Sequence, residues 1–386
     1  MTMDEINSLD NSRINEPLSP RTRRIFLLVM VVIIVVAYGS YRLFASYTDY
    51  EVMASMERSD AEQTEYLDFN ENLLSYGRDG AFYTDYSGNL LWNETYEMTK
   101  PRVKTCGDRL LIYDKTGTQM IICSMTGSVG NISTTLPISD ADVSSKGQVA
   151  VLMREGNTGY LLLYDADGTR LASGELHTQN TGYPISIGLS SDGKRLVVSL
   201  VDLNAGDVKT TLLFYDFGTA GSKKEDNIIG TYSYSNMLIP EVDFVGGDQA
   251  IAIGDREIVT FAVGSAPSVK SEVFFSGQIK SVFHNDNYYG VVTAGTDDGN
   301  NILDVYNMSG TRRFEKEIGT SYTDVEFTKT NEVLLTDGQQ VVIYTLLGVK
   351  KFDHTFTDAI RQIIPWESRR TYVLIKNDTM ERIRLR

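Results

Sequence analysis

Two cysteines, Cys106 and Cys123, are all that 386 residues contain, so no disulfide framework holds this chain together. Histidine is as scarce. His177, His284 and His354 show none of the H-x-x-x-H or H-E-x-x-H spacing of a zinc enzyme, and a packed or solvated role suits His284 and His354 better than catalysis. No G-x-S-x-G, S-x-x-K or P-loop signature is present. Positive charge is in deficit: 36 Lys and Arg face 51 Asp and Glu, a net charge of −15. Such a chain repels nucleic acid and anionic lipid headgroups, which excludes both as general partners. Eight prolines leave long stretches free to pair as strands.

What is abundant points one way. There are 22 Tyr and 32 Gly, a mix suited to many strands joined by tight turns. Hydrophobic residues make up 42% of the chain, enough for a sizeable core. Its length accommodates two or three average domains or one large all-β domain.

One apolar run interrupts the polar sequence. After residues 1–24, which carry Arg13, Arg21, Arg23 and Arg24, comes "IFLLVMVVIIVVAY" at 25–38. Continued to Ala45, with Arg42 snorkelling, it reaches the ~20 residues that a membrane helix needs. The arginines before it favour a cytoplasmic N-terminus and a chain exported beyond residue 45. A cleavable signal peptide is the rival reading, with Ala37-Tyr38-Gly39 as the small-x-small site. The long polar leader and the flank at Tyr38, Tyr41 and Arg42 favour the uncleaved anchor. This division predicts a cytoplasmic tail at 1–24, a transmembrane helix at 25–45, a polar linker at 46–64 and a β domain at 65–386.

Beyond residue 64 the chain repeats. "DADVSSKGQVAVLM" (140–153), "SIGLSSDGKRLVVSL" (186–200), "EVDFVGGDQAIAIG" (241–254), "KSVFHNDNYYGVVTA" (280–294) and "DVEFTKTNEVLLTDG" (324–338) align on Val143, Leu189, Phe244, Phe283 and Phe327. Weaker copies lie at 102–114 and 361–376. A period of roughly 40–45 residues with about four short strands each is the signature of a β-propeller blade. A second motif also recurs, an apolar strand ending in an aromatic and followed by a Gly-containing turn: "AFYTDYSGNLLW" (81–92), "GYLLLYDADGTRLAS" (159–173), "TLLFYDFGTAG" (211–221), "NILDVYNMSGTRRFE" (301–315) and "VVIYTLLGVKKFD" (341–353). Within it, "YDADGTR" (164–170) opens like a calcium loop. However, Arg170 and Leu176 stand where an EF-hand needs Gly and Glu, and the sister segments lack the paired acids. The expectation is a hairpin turn and no metal.

"LSSDGKRLVVSL" and "YSGNLLW" resemble hairpins of the WD-repeat and quinoprotein-like propellers. The layout of one anchor followed by a propeller is similar to uncharacterised single-pass propeller families of Gram-positive bacteria. The resemblance covers residues 65–386 and implies a seven- or eight-bladed propeller, eight being preferred. Trp92 and Trp366 are the only tryptophans, so the docking-tryptophan ring of quinoproteins is missing and no cofactor is expected.

Blades are predicted at 65–98, 100–136, 138–177, 183–235, 237–276, 277–319, 320–358 and 359–386. The C-terminal alternation of Ile383 and Leu385 with arginines reads as a half-buried strand, expected to close the ring against a strand within 64–96. Cys106 and Cys123 fall on the first and third strands of one blade. That is about 9.6 Å apart, beyond the ~7 Å Cα limit for a bridge. The sequons at Asn93, Asn131, Asn307 and Asn377 matter only in a eukaryotic secretory pathway.

Loops between second and third strands, and between blades, share one face of a propeller. Here they read "REGNTG", "HTQNTGY", "LVDLNAGD", "GTDDGNN" and "TDGQQ", an acidic rim with Asp202, Asp207, Asp297 and Asp298 as candidate binding residues for a basic or hydroxylated partner, protein or glycan. Turns also select these residues for geometry alone. The expected function is a membrane-anchored, extracytoplasmic binding or scaffolding module. The alternative is a lyase or hydrolase working at the funnel, which would be marked by His, Arg, Tyr or acids converging there with shifted pKa values.

Overall fold

Pro20 stands at the start of a helix, Pro20–Phe44, a position where its missing N–H costs nothing. The computed structural model describes residues 20–58, 63–85, 87–178, 182–203, 207–295, 299–319 and 321–386. The chain divides into two units, Met1–Tyr47 and Thr48–Arg386. In the first unit the large apolar side chains from Ile25 to Val36 are all exposed. Among the described residues this is the one helix long and apolar enough to cross a membrane.

From Tyr50 onward the chain forms eight four-stranded antiparallel sheets. Seven consist of four consecutive strands, at residues 65–95, 101–133, 138–177, 183–235, 241–274, 279–318 and 324–355. First strands touch between blades 2 and 3, 3 and 4, 4 and 5, and 6 and 7, and Glu65–Phe69 of the first blade touches Ile360–Trp366 of the last. They therefore line the central axis, and each blade runs outward from first strand to fourth. The architecture is an eight-bladed β-propeller, with the predicted boundaries of the first seven blades displaced by only a few residues.

The eighth blade departs from expectation. Its order is Tyr50–Glu57, Thr379–Leu385, Thr371–Lys376, Ile360–Trp366. The closing partner of the C-terminal strand is Tyr50–Glu57, not a strand within 64–96. Part of the expected polar linker at 46–64 is thus the outermost strand of a blade. Tyr50 pairs with Leu385 and Glu57 with Thr379. Tyr50 also packs on His354 and Phe356 of blade 7, with ring centroids 5.0 and 4.8 Å away. Glu51 forms an ion pair with Arg386. A ring closed in this way leaves no open interface between its first and last blades.

Apolar side chains fill the gaps between blades rather than one common centre. Leu212, Phe214 and Tyr232 of blade 4 pack on Val242, Val259 and Phe261 of blade 5, and Tyr83 and Trp92 of blade 1 pack on Leu110 and Ile112 of blade 2. Near the last junction Lys351 Nζ lies 2.5 Å from Glu332 Oε2, both side chains buried, and donates to the Arg369 carbonyl of blade 8. Burial lowers the Lys351 pKa in spite of the carboxylate beside it.

The "YDADGTR" segment is a turn. Asp165 N donates to Thr169 O, and Gly168, at φ +85°, donates to Asp165 O. The same pair of bonds recurs at Asp85/Asn89 with Gly88, Asn307/Thr311 with Gly310, and Thr345/Val349 with Gly348. All four glycines have positive φ, which explains their spacing without any metal. Cys106 ends the first strand of blade 2 and Cys123 lies in the third. Both are free, and burial pushes the Cys123 thiol up to about 12.

Candidate functional site

The central channel collects the charge that the first strands carry. Lys104 comes from blade 2, Asp140 and Asp142 from blade 3, Glu241 and Asp243 from blade 5, His284 from blade 6, and Asp324 and Glu326 from blade 7. An innermost strand has one edge without a strand partner, so its backbone N–H groups need acceptors from elsewhere. Blade 3 supplies them to blade 4. Asp140 Oδ2 accepts from Ile187 N at 3.0 Å, and Asp142 Oδ2 accepts from Leu189 N at 2.6 Å. Ser186 Oγ in turn accepts from Val242 N of blade 5.

Burial raises the pKa of Asp142, and Asp243 nearby raises it further. Asp140 is raised by burial as well, against the backbone donors and Lys104. Lys104 Nζ lies 3.5 Å from Asp243 Oδ2, and that carboxylate holds the ammonium pKa above its ordinary value. His284 Nε2 sits 3.9 Å from Glu241 Oε1 and 4.0 Å from Asp243 Oδ2. Its hydrogen bond and charge hold the Glu241 carboxyl below the usual range. Burial, with Asp324 beside it, pushes Glu326 up to about 8.

At the hairpins joining first and second strands, the channel opens into a cavity of about 730 Å³. Six blades wall it, from Lys104–Gly107 of blade 2 to the 327–331 segment of blade 7. Asp142, Asp243 and Asp286 face it against Lys104, Lys329 and His284. Both lysines are engaged, Lys104 by Asp243 and Lys329 by Asp68 at 2.9 Å, and Asp142 and Asp286 accept from Leu189 N and Gly246 N, which leaves Asp286 as the exposed carboxylate of the mouth. Among the described residues, no group of three or more His, Cys, Asp or Glu is placed to hold a metal ion.

Of the residues proposed from sequence, Asp202 and Asp207 lie on the opposite face. Asp202 ends the second strand of blade 4, half-buried and in register with Lys209. Asp207 is exposed on the following loop, whereas Asp297 and Asp298 lie outside the described residues. The channel cluster went unread because its members are spread over five blades and share no local motif. One signal was available: a polar residue at alternate positions of the first strand, as in "SDADV", "EVDF" and "DVEF".

The profile of a family of unknown function (DUF5711) matches residues 43–385, and the chain belongs to that family. Among functionally curated proteins none matches the chain in sequence. Solved structures with the same fold include BamB from Moraxella catarrhalis, at 13% identity and a TM-score of 0.54, covering 87% of this chain and 100% of that one. The Neurospora crassa Pan2 WD40 domain is more distant, with 8% identity, a TM-score of 0.45 and coverage of 74% and 88%. A crystal structure of BBS1N in complex with ARL6DN shares 9% identity at a TM-score of 0.44, covering 88% and 98%. These likenesses concern the fold.

Proposed function

We propose that this chain is a single-pass membrane protein displaying its propeller outside the cytoplasm as a binding and scaffolding module for a protein or glycan partner. The observation that carries this reading is the 730 Å³ cavity walled by six blades, a concave site that only the closed ring assembles. The exposed Asp286 at its mouth and the net charge of −15 favour a partner rich in cationic or hydrogen-bond-donating groups. The Arg21, Arg23 and Arg24 flank supports the orientation.

Crosslinking and pull-down of the intact protein from its native membrane tests the binding face. Asp286→Lys with Asn287→Lys reverses charge at the mouth, and Asp202, Asp207, Asp297 and Asp298 all changed to Asn neutralises the rim. Loss of captured partners with the first variant alone places binding at the mouth. Loss with the second alone, together with a flattened salt dependence, moves it to the rim. Wild-type capture by both removes the binding reading from either face. Protease added to intact cells should degrade the propeller, and protection until lysis would reverse the topology.

A second reading rests on His284. An imidazole within 4.0 Å of two carboxylates is an arrangement that general acid–base catalysis uses, and acids with shifted pKa values do converge on the funnel, as a lyase or hydrolase would require. Asp140, Asp142 and Lys104, however, are occupied in stapling blades together. Turnover separates the two readings: an enzyme cleaves a polysaccharide or peptide and loses that turnover with His284→Asn, whereas wild-type protein that captures partners and cleaves none of them is a binding module.

A further inference from the structure

The gap between blades 3 and 4 holds a second cavity, of about 360 Å³. It lies within the range of small-ligand pockets and away from the central channel. Its origin is visible in strand register. In each blade the outer strand bulges once, and the residue two places beyond the bulge partner faces the next blade. Those residues are Glu94, Ile132, Tyr232, Val273, Lys316, His354 and Met56 in the other seven blades. In blade 3 the residue is Gly174, paired with Leu161. The bulge partner before it is Ala172, where blades 1, 6 and 7 carry Trp92, Phe314 and Phe352. Blade 3 alone has two such small residues. A Cβ placed on Gly174 meets no atom within 4 Å.

What surrounds this space suits a ring. One wall is Leu161, Leu163 and Leu176, and the other is Leu213 with Tyr215 and Phe217. The last two stack at 6.2 Å and 7°, which continues an aromatic surface into the cavity. The 217–227 insertion of blade 4 borders the opening and places Asp226 there, and Glu175 lines it from blade 3. The basic side chain in the lining is His177, exposed, with Nε2 3.9 Å from Glu175 Oε2, and no Lys or Arg is present there. The opening runs beside Arg170–His177, the outermost strand of its sheet, so an extended chain can lie along it.

We propose that the cleft between blades 3 and 4 receives an aromatic side chain of a partner polypeptide, with a basic residue next to it. The ring occupies the space that Tyr232 fills between blades 4 and 5, and the cation meets Glu175 and Asp226. This site is separate from the channel mouth and does not depend on the reading given above.

Calorimetric titration of the full chain in detergent, with N-acetyl-Tyr-Lys-amide as probe, tests it. Expected are saturable one-to-one binding, at least tenfold weaker binding of N-acetyl-Ala-Lys-amide, and at least threefold weakening by Glu175→Gln with Asp226→Asn, two exposed changes that leave folding intact. Gly174→Tyr should abolish binding while leaving the melting temperature unchanged or raised. Ala172→Phe offers the same block if that variant does not fold. No saturable binding by the wild type overturns the proposal, as does undiminished binding by a folded filled variant. Tyramine binding as tightly as the dipeptide also overturns it, because the site would then serve a free aromatic amine.

Discussion

Lys104 on blade 2 and Asp243 on blade 5 form an ion pair, 3.5 Å from Nζ to Oδ2, between strands three blades apart. The pair therefore spans the channel rather than one interblade seam. It also sets one ammonium among Asp140, Asp142, Glu241 and Asp243, all of which act on it electrostatically.

Lys104→Met should therefore destabilise the propeller by about 1–3 kcal/mol at pH 8, because it leaves part-buried carboxylates without a counter-charge. The cost should shrink toward pH 5, where those carboxylates take up protons more readily once the lysine is gone. Urea midpoints of both proteins at the two pH values check this, and a pH-independent difference would contradict it.

Glu326 predicts a pH dependence of its own. Its folded pKa is raised from 4.5 to about 8, so the native state binds more protons than the unfolded state between those values. The associated stability is full below the unfolded pKa and is lost as pH rises through 8. Glu326→Gln stays neutral throughout. It should match the wild type near pH 4 and exceed it by about 1–3 kcal/mol at pH 9, after allowance for solvent in the channel. Asp142 shifts in the same direction, so a residual slope should persist in the variant.

The closing strand predicts where the chain can be cut. A chain beginning at Thr48 keeps Tyr50–Glu57 on Thr379–Leu385 and should melt like the full-length propeller. One beginning at Gln63, or one lacking 379–386, uncovers a sheet edge in blade 8 and should aggregate. Size-exclusion chromatography and thermal melts decide the point, and a monomeric chain from Gln63 with unchanged melting would refute it.

Much of this architecture is local and was open to reading. Gly88, Gly168, Gly310 and Gly348 mark the same turn because only a residue tolerant of positive φ suits it. The period of the apolar segments places the blades because each must bury both faces against its neighbours. The segment "YEVMASME" was not legible as a strand. As the outermost strand of its blade it is largely exposed, so burial imposes no alternation on its sequence.

The sequence by itself determined the propeller, its turns, its acidity and an apolar helix, since strand period, turn chemistry and charge are properties of neighbouring residues. Only the tertiary structure decided which residues face one another. Lys104 meets Asp243, Tyr50 meets Leu385, and Gly174 leaves open the place that Tyr232 fills one blade on. Each depends on ring closure or on the register of a bulged strand, and a single-residue change in that register turns a side chain to the other face of its sheet.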